Sequence, residues 1–263
     1  MRNLILLFRY LCYKIFSGHK YGHGIHSPFV YDLITNVFND NKKYEEYNEI
    51  EKIRSNLCKS ENTVSVTDFG AGSNKFKSNT RKIKDIAKYS SVNRKYGQLL
   101  FRLVKYFEPD TVVELGTSLG ISAMYLAKGC KSTNIISIEA NKNLLEIAGQ
   151  NFNTAGLLNI KGINDSFENA LPEIVNNSYE KLFIFIDGNH KKESTLRYYN
   201  QFLTNLHNNR IMIFDDINWS NGMREAWKEI KSDPGSKITI DLFFMGIVIF
   251  KKDIHKQNFV IRF

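Results

Sequence analysis

The chain has 263 residues, 43 % of them hydrophobic and 24 % charged, which describes a globular protein able to bury a core and excludes a peptide, a collagen or a disordered chain. Its 36 Lys+Arg against 27 Asp+Glu leave a net charge of +9, which favours anionic partners such as nucleic acid, acidic lipid or small anions. Cys12, Cys58 and Cys130 are odd in number and far apart, so no disulfide framework or zinc ribbon is encoded, and a reducing cytoplasm is the expected location.

The chain opens on Asn3-Leu4-Ile5-Leu6-Leu7-Phe8, but Arg9 and Lys14 interrupt the apolar run and no small-residue cleavage site follows. A spanning helix needs ~20 apolar residues, so neither secretion nor a membrane span is expected. The expectation is a basic, apolar helix through Phe16 that docks on its own protein, with peripheral membrane contact through residues 1–16 as the alternative. Gly18, Gly22 and Gly24 then break the chain, and Ser27-Pro28 reads as a cap and first-turn proline opening a helix through Phe38. Residues 41–60 read as a polar helix, Thr63 to Phe69 alternates like a strand running into Gly70-Ala71-Gly72-Ser73, a basic helical stretch follows, and another helix spans Val92 to Tyr106.

From Thr111 onward, short apolar strands alternate with helices, the pattern of a parallel sheet with crossover connections. Strands are expected at Thr111–Leu115, Asn134–Glu139, Asn159–Ile163, Leu182–Asp187, Arg210–Phe214, Lys237–Phe243 and Gly246–Lys251. The last two are joined too tightly for a helical crossover, so the final strand must run antiparallel. The expected fold is therefore α/β, a Rossmann-like, doubly wound, seven-stranded and mostly parallel sheet over residues 91–263, preceded by a helical region over residues 1–90.

Val112-Val113-Glu114-Leu115-Gly116-Thr117-Ser118-Leu119-Gly120-Ile121-Ser122 is a strand, a glycine turn and a helix start, an arrangement that brings backbone N–H groups close to a ligand. A carboxylate at the strand end repels a pyrophosphate and attracts an amino group, so Glu114 points to a cofactor carrying an ammonium. The next strand ends in Glu139, 25 residues on, placed to accept both hydroxyls of an adenosine ribose. Farther along, Phe183-Ile184-Phe185-Ile186-Asp187 and Ile211-Met212-Ile213-Phe214-Asp215-Asp216 each deliver carboxylates at a strand's carboxyl end. Open parallel sheets bind ligands there, and three converging carboxylates suit a hard divalent ion such as Mg²⁺.

These residues resemble the class I S-adenosylmethionine-dependent methyltransferases, with a likeness covering roughly residues 92–263. Within them the chain is most similar to the metal-dependent O-methyltransferases of the catechol, caffeoyl-CoA and sugar type. The resemblance rests on the order of Gly97-Gln98-Leu99-Leu100, Glu114-Leu115-Gly116 with Gly120-Ile121-Ser122, Ala155-Gly156-Leu157, Asp165-Ser166-Phe167 before Leu171-Pro172, Asp187, and Asp215-Asp216 followed by Trp219. It implies that Glu114, Gly116, Ser118, Gly120, Ser122 and Glu139 hold the methionine and ribose of S-adenosylmethionine, with Asp165 and Ser166 near the adenine. It also implies that Asp187, Asp215 and Asp216 hold the metal; Asp216 stands where the catechol type has asparagine and resembles the sugar branch. His190 occupies the loop position of that type's lysine base, and an imidazole titrating near neutral pH can take a hydroxyl proton beside Asp187. The acceptor implied is a small-molecule hydroxyl compound.

Val66-Thr67-Asp68-Phe69-Gly70-Ala71-Gly72-Ser73 imitates a second cofactor loop but has no acid-ended strand after it, so it reads as a supporting or gating loop. His19, His23 and His26 are interleaved with glycines that disfavour a shared helical face. The Gly22-His23-Gly24-Ile25-His26-Ser27-Pro28-Phe29 arm resembles the N-terminal arm of a bacterial methyltransferase group, and Tyr21 to Tyr31 reads as part of a lid. Between Lys75 and Lys105, ten Lys and Arg face one acid, Asp85, a surplus equal to that of the whole chain. This segment reads as a solvated helical face, or as a landing site for an anionic acceptor or acidic lipid, or for the RNA or protein substrate of an alternative methyltransferase. Asp187-Gly188-Asn189-His190 lacks the Pro-Pro-aromatic sequence of amino-group nucleic-acid enzymes, which demotes nucleic acid as the partner. A non-catalytic module that binds the cofactor is the remaining alternative.

Overall fold

The computed structural model describes residues 2–66, 79–203, 210–251 and 254–263. The N-terminal part holds α1 (Arg2–Phe16), α2 (Pro28–Leu33) with a π-helical turn over Ile34–Phe38, and α3 (Glu45–Leu57). A two-stranded antiparallel pair, β1 (Thr63–Ser65) and β2 (Thr80–Lys82), precedes α4 (Ile83–Tyr89) and α5 (Arg94–Phe107). Strands and helices then alternate: β3 (Thr111–Leu115), α6 (Ile121–Gly129), β4 (Asn134–Ile138), α7 (Lys142–Thr154), β5 (Ile160–Ile163), α8 (Phe167–Asn176), β6 (Leu182–Ile186), α9 (Lys192–Leu203), β7 (Arg210–Phe214) and α10 (Asn221–Ser232). The chain closes with β8 (Ile238–Asp241), β9 (Gly246–Phe250) and β10 (Gln257–Val260).

Among the described residues the main sheet has eight strands in the order β10-β8-β9-β7-β6-β3-β4-β5. The expected seven are all there, and β9 runs antiparallel to both β7 and β8, as the short connection before it requires. The eighth, β10, lies parallel to β8 at the edge. Its polar Gln257 and Asn258 conceal it in the sequence, as is common for edge strands.

The chain divides into two compact units, Lys42–Phe183 and the pair of segments Met1–Asn41 and Ile184–Phe263. In the first, β3 is buried at every position, as a strand covered on both faces must be, and α5 packs on α6. Gly97 allows that approach, since a Cβ there would stand 2.4 Å from the Tyr125 ring. The Tyr125 hydroxyl in turn donates to Glu51 Oε1 at 2.7 Å.

The stretch expected to be a basic helix begins instead as β2, because Thr80 to Lys82 pairs with Ser65 to Thr63. Its charges are dispersed: Lys82 and Lys84 both pair with Glu61, and Arg81 and Arg102 are buried. Lys75, Lys77 and the Asp68 to Ser73 loop lie outside the described residues.

In the second unit β7 and β9 are wholly buried. One face of α1 docks as expected: the Tyr13 hydroxyl donates to the Ile261 carbonyl at 2.5 Å and accepts from the Phe263 N–H at 2.8 Å. The Tyr10 ring meets those of Phe243 and Phe244. The other face leaves Leu4, Phe8 and Ile15 between 67 % and 71 % exposed. After α1 the chain bridges to the C-terminal segment at Gly18 and Ile261, and His19 Nδ1 lies 2.7 Å from the His23 carbonyl within the glycine-rich turn. No helix among the described residues is long and apolar enough to cross a membrane.

Candidate active site

The loop after β3 is built for close approach. Gly116 and Gly120 adopt φ of 111° and 78°, and a Cβ on Gly120 would meet the Phe152 ring at 2.4 Å, so both backbone and packing demand glycine. Gly116 and Thr117 donate to the Ile138 carbonyl at the end of β4. Ser118 takes φ of 49°, a conformation that costs a non-glycine residue about 1–2 kcal/mol.

Glu114 lies under this loop, fully buried. Its Oε2 accepts from the Ser137 hydroxyl, which shares a 2.5 Å hydrogen bond with Thr117 Oγ1, while Oε1 has no hydrogen-bond partner. Burial pushes its pKa up to about 7, against the opposing pull of the Ser122 and Ser137 hydroxyls. Glu139 spans the loop and the next helix, accepting the N–H of Ser118 and of Asn141 at 2.9 Å each. Burial raises its pKa as well. Asp165 and Ser166 open α8: Asp165 Oδ1 accepts the Ser166 N–H at 2.7 Å and the Asn169 side-chain amide at 3.0 Å, and Ser166 caps the helix through Asn169.

In the second unit, β6 runs out into Asp187 and β7 into Asp215 and Asp216. The Asp215 N–H donates to the Ile186 carbonyl at 2.9 Å, which brings the two strand ends together. Asp215 is held well above the usual carboxylate range, first by burial and then by the charge of Asp216, with its hydrogen bond to Asp187 opposing. His190 Nε2 stands 3.7 Å from Asp187 Oδ1. Asn189, His190 and Asp216 all have positive φ, so backbone strain gathers at the strand ends where the chemistry is expected. The three aspartates are only partly assembled: Asp187 and Asp215 touch, but no group of three or more His, Cys, Asp or Glu among the described residues is arranged to hold a metal ion.

The sequence model of the O-methyltransferase family matches residues 74–249, which span this entire arrangement. The chain belongs to the O-methyltransferase family. Solved structures support the fold of this O-methyltransferase. The O-methyltransferase of Bacillus cereus in complex with SAH is 20 % identical, with a TM-score of 0.54, and the match covers 82 % of this chain and 95 % of that one. The SAH-bound Podospora anserina methyltransferase PaMTH1 is 15 % identical with a TM-score of 0.59, covering 86 % and 97 %. TomG of Streptomyces achromogenes, an O-methyltransferase of tomaymycin synthesis in complex with SAM, is 16 % identical with a TM-score of 0.52, covering 62 % and 82 %. No curated protein matches this O-methyltransferase in sequence.

Sequence reasoning passed over Ser137, Thr117 and Asn141, which hold the two glutamates in place. Ser137 could have been found, because it is the polar interruption in the otherwise apolar Ile135-Ile136-Ser137-Ile138. Nothing in the spacing marks the other two.

Proposed function

We propose that this O-methyltransferase moves a methyl group from S-adenosylmethionine to a hydroxyl of a small molecule. The observation that carries the reading is the unpaired, buried Oε1 of Glu114 beneath the glycine loop. A buried carboxylate with an orphaned oxygen calls for a cation, and the amino acid moiety of that cofactor supplies an ammonium. In this reading the glycines admit its backbone-proximal part, Ser118 lies in the same loop and Ser122 beside Glu114, Glu139 serves the ribose hydroxyls, and Asp165 and Ser166, after β5, would lie near the adenine. When bound, the cofactor supplies an electrophilic methyl on a sulfonium.

The chain's own contribution is to align the acceptor, lower the cost of its deprotonation and take the proton. His190 receives it at Nε2, and the neighbouring Asp187 carboxylate stabilises the imidazolium that results. Asp187, Asp215 and Asp216 would hold a divalent cation, whose neutralising charge suits the raised pKa of Asp215 and which would acidify an acceptor hydroxyl.

Calorimetry of the full chain with S-adenosylmethionine, with and without Mg²⁺ and a chelator, tests the reading. Saturable binding supports it, and its absence overturns it; binding indifferent to Mg²⁺ and chelator removes only the metal. Once an acceptor is found by transfer of labelled methyl, His190→Ala is expected to lower turnover by about 10²-fold or more while leaving cofactor affinity within about twofold. Undiminished turnover would remove His190 as the base.

A further inference from the structure

The second unit has an open cavity of about 600 Å³ between the inner face of α1 and the carboxyl end of β8, a volume that suits a small organic molecule. Tyr13, Phe16 and Phe243 supply an apolar wall. Asn218, which lines the cavity, lies two residues beyond Asp216 in the chain.

Its polar groups are unbalanced. Arg9 lines the cavity and donates through Nη2 to the neutral Asn218 Oδ1 at 3.3 Å. Arg224, on α10, feels the charge of Arg9 strongly enough to lower its own pKa, after the larger effect of burial. Among the described residues neither guanidinium forms a salt bridge. Of the acids nearby, Glu225 pairs with Lys192 at 3.0 Å, and Asp241, which also lines the cavity, accepts the Trp227 indole N–H at 3.0 Å and the Phe243 N–H at 2.8 Å. Ser17, 8 % exposed, also lines the cavity, and its hydroxyl has no hydrogen-bond partner. Two neighbouring cations with no salt bridge among the described residues, and a buried hydroxyl without a partner, are groups that an anionic ligand would engage.

We propose that this cavity is the acceptor subsite and takes a small molecule with an apolar or aromatic body and one anionic group, carboxylate, sulfonate or phosphate. Arg9 and the Ser17 hydroxyl bind the anion, Arg224 adds charge behind them, and Tyr13, Phe16 and Phe243 cover the body. The acceptor role rests on the O-methyltransfer reading above; the anion preference is measurable without it.

The test is a fluorescence titration of the full chain, free of cofactor, with anilinonaphthalene sulfonate and with its uncharged parent N-phenylnaphthylamine, which share one aromatic body. The wild type is expected to bind the sulfonate at least about tenfold more tightly, and inorganic phosphate is expected to compete with the sulfonate and not with the neutral probe. Arg9→Gln and Arg224→Gln should bring the two affinities together without weakening the neutral probe, and Arg9→Lys should keep most of the preference. Equal affinities in the wild type overturn the proposal. So does a preference that survives in folded Arg9→Gln, or sulfonate binding abolished by Leu4→Ser with Phe8→Ser on the outer face of α1 and untouched by the arginine changes. Should Arg9→Gln fail to fold, Arg9→Lys and phosphate competition on the wild type still decide. Calorimetry with S-adenosylmethionine on the same preparations separates the two readings. Cofactor binding without sulfonate preference overturns the subsite alone, and sulfonate preference without cofactor binding overturns its role as acceptor site.

Discussion

A carboxyl group removed from water resists ionisation, and at Glu114 the removal is complete, with a pKa of about 7 as the result. The ordinary value is 4.5, so the native state keeps a proton that the unfolded chain has already lost across the interval between the two. The stability this confers is complete below the ordinary value and is lost as pH rises through about 7. In urea unfolding followed from about pH 4.5 to pH 8, Glu114→Gln is therefore expected to show a shallower loss of stability than the wild type, by about 3 kcal/mol over the range. An ammonium ligand favours the ionised carboxylate, so cofactor affinity should rise by roughly tenfold from about pH 6 to pH 8 and do so far less in Glu114→Gln. Calorimetry at the two pH values checks both signs, and identical profiles would remove Glu114 as the ammonium partner. Glu114 and Glu139 could be picked out from the sequence because each ends an apolar strand. Arg9 and Arg224 could not, since they are distant in sequence and each looks like a solvated charge on its own helix.

At the scale of elements, α1 shows why an apolar helix can be recognised in a sequence while its docking face cannot. The 3.6-residue period identifies residues with a common side, yet α1 is apolar on nearly every side, and what selects the inner face is the pair of bonds between Tyr13 and the C-terminal segment. Tyr13→Phe removes a buried donor and leaves the Phe263 N–H and the Ile261 carbonyl without that hydroxyl, at an expected cost of about 1–3 kcal/mol. Hydrogen exchange should register it as faster exchange in α1 and around Ile261, with residues 111–163 unchanged. Equal protection in α1 would mean that the rings of Tyr10 and Phe243 hold the helix alone. Strand β10 teaches the converse: its polar start, Gln257-Asn258, carries little signal, and it becomes a strand because β8 offers it an edge.

For the whole molecule, binding to the native state alone adds stability in proportion to saturation. S-adenosylmethionine at about one hundred times its dissociation constant should contribute about 2.7 kcal/mol, which for a chain of this size raises Tm by roughly 5–10 °C. Scanning calorimetry with and without the cofactor reads this directly, and an unmoved Tm would count against the site. The order of apolar strands and helices, the antiparallel turn before β9, and the acids at the ends of β3, β4, β6 and β7 were determined by the sequence alone, because local periodicity and strand-end position are properties of neighbouring residues. What only the tertiary structure decided is which of those charged groups meet a partner. Lys82 and Lys84 lose their apparent freedom to Glu61, Arg81 and Arg102 turn inward, and Asp215 finds Asp187. Glu114 Oε1 and the Ser17 hydroxyl are left without a hydrogen-bond partner, and Arg9 reaches the neutral Asn218. Burial and charge pairing depend on residues far apart in the chain, and no spacing along it records them.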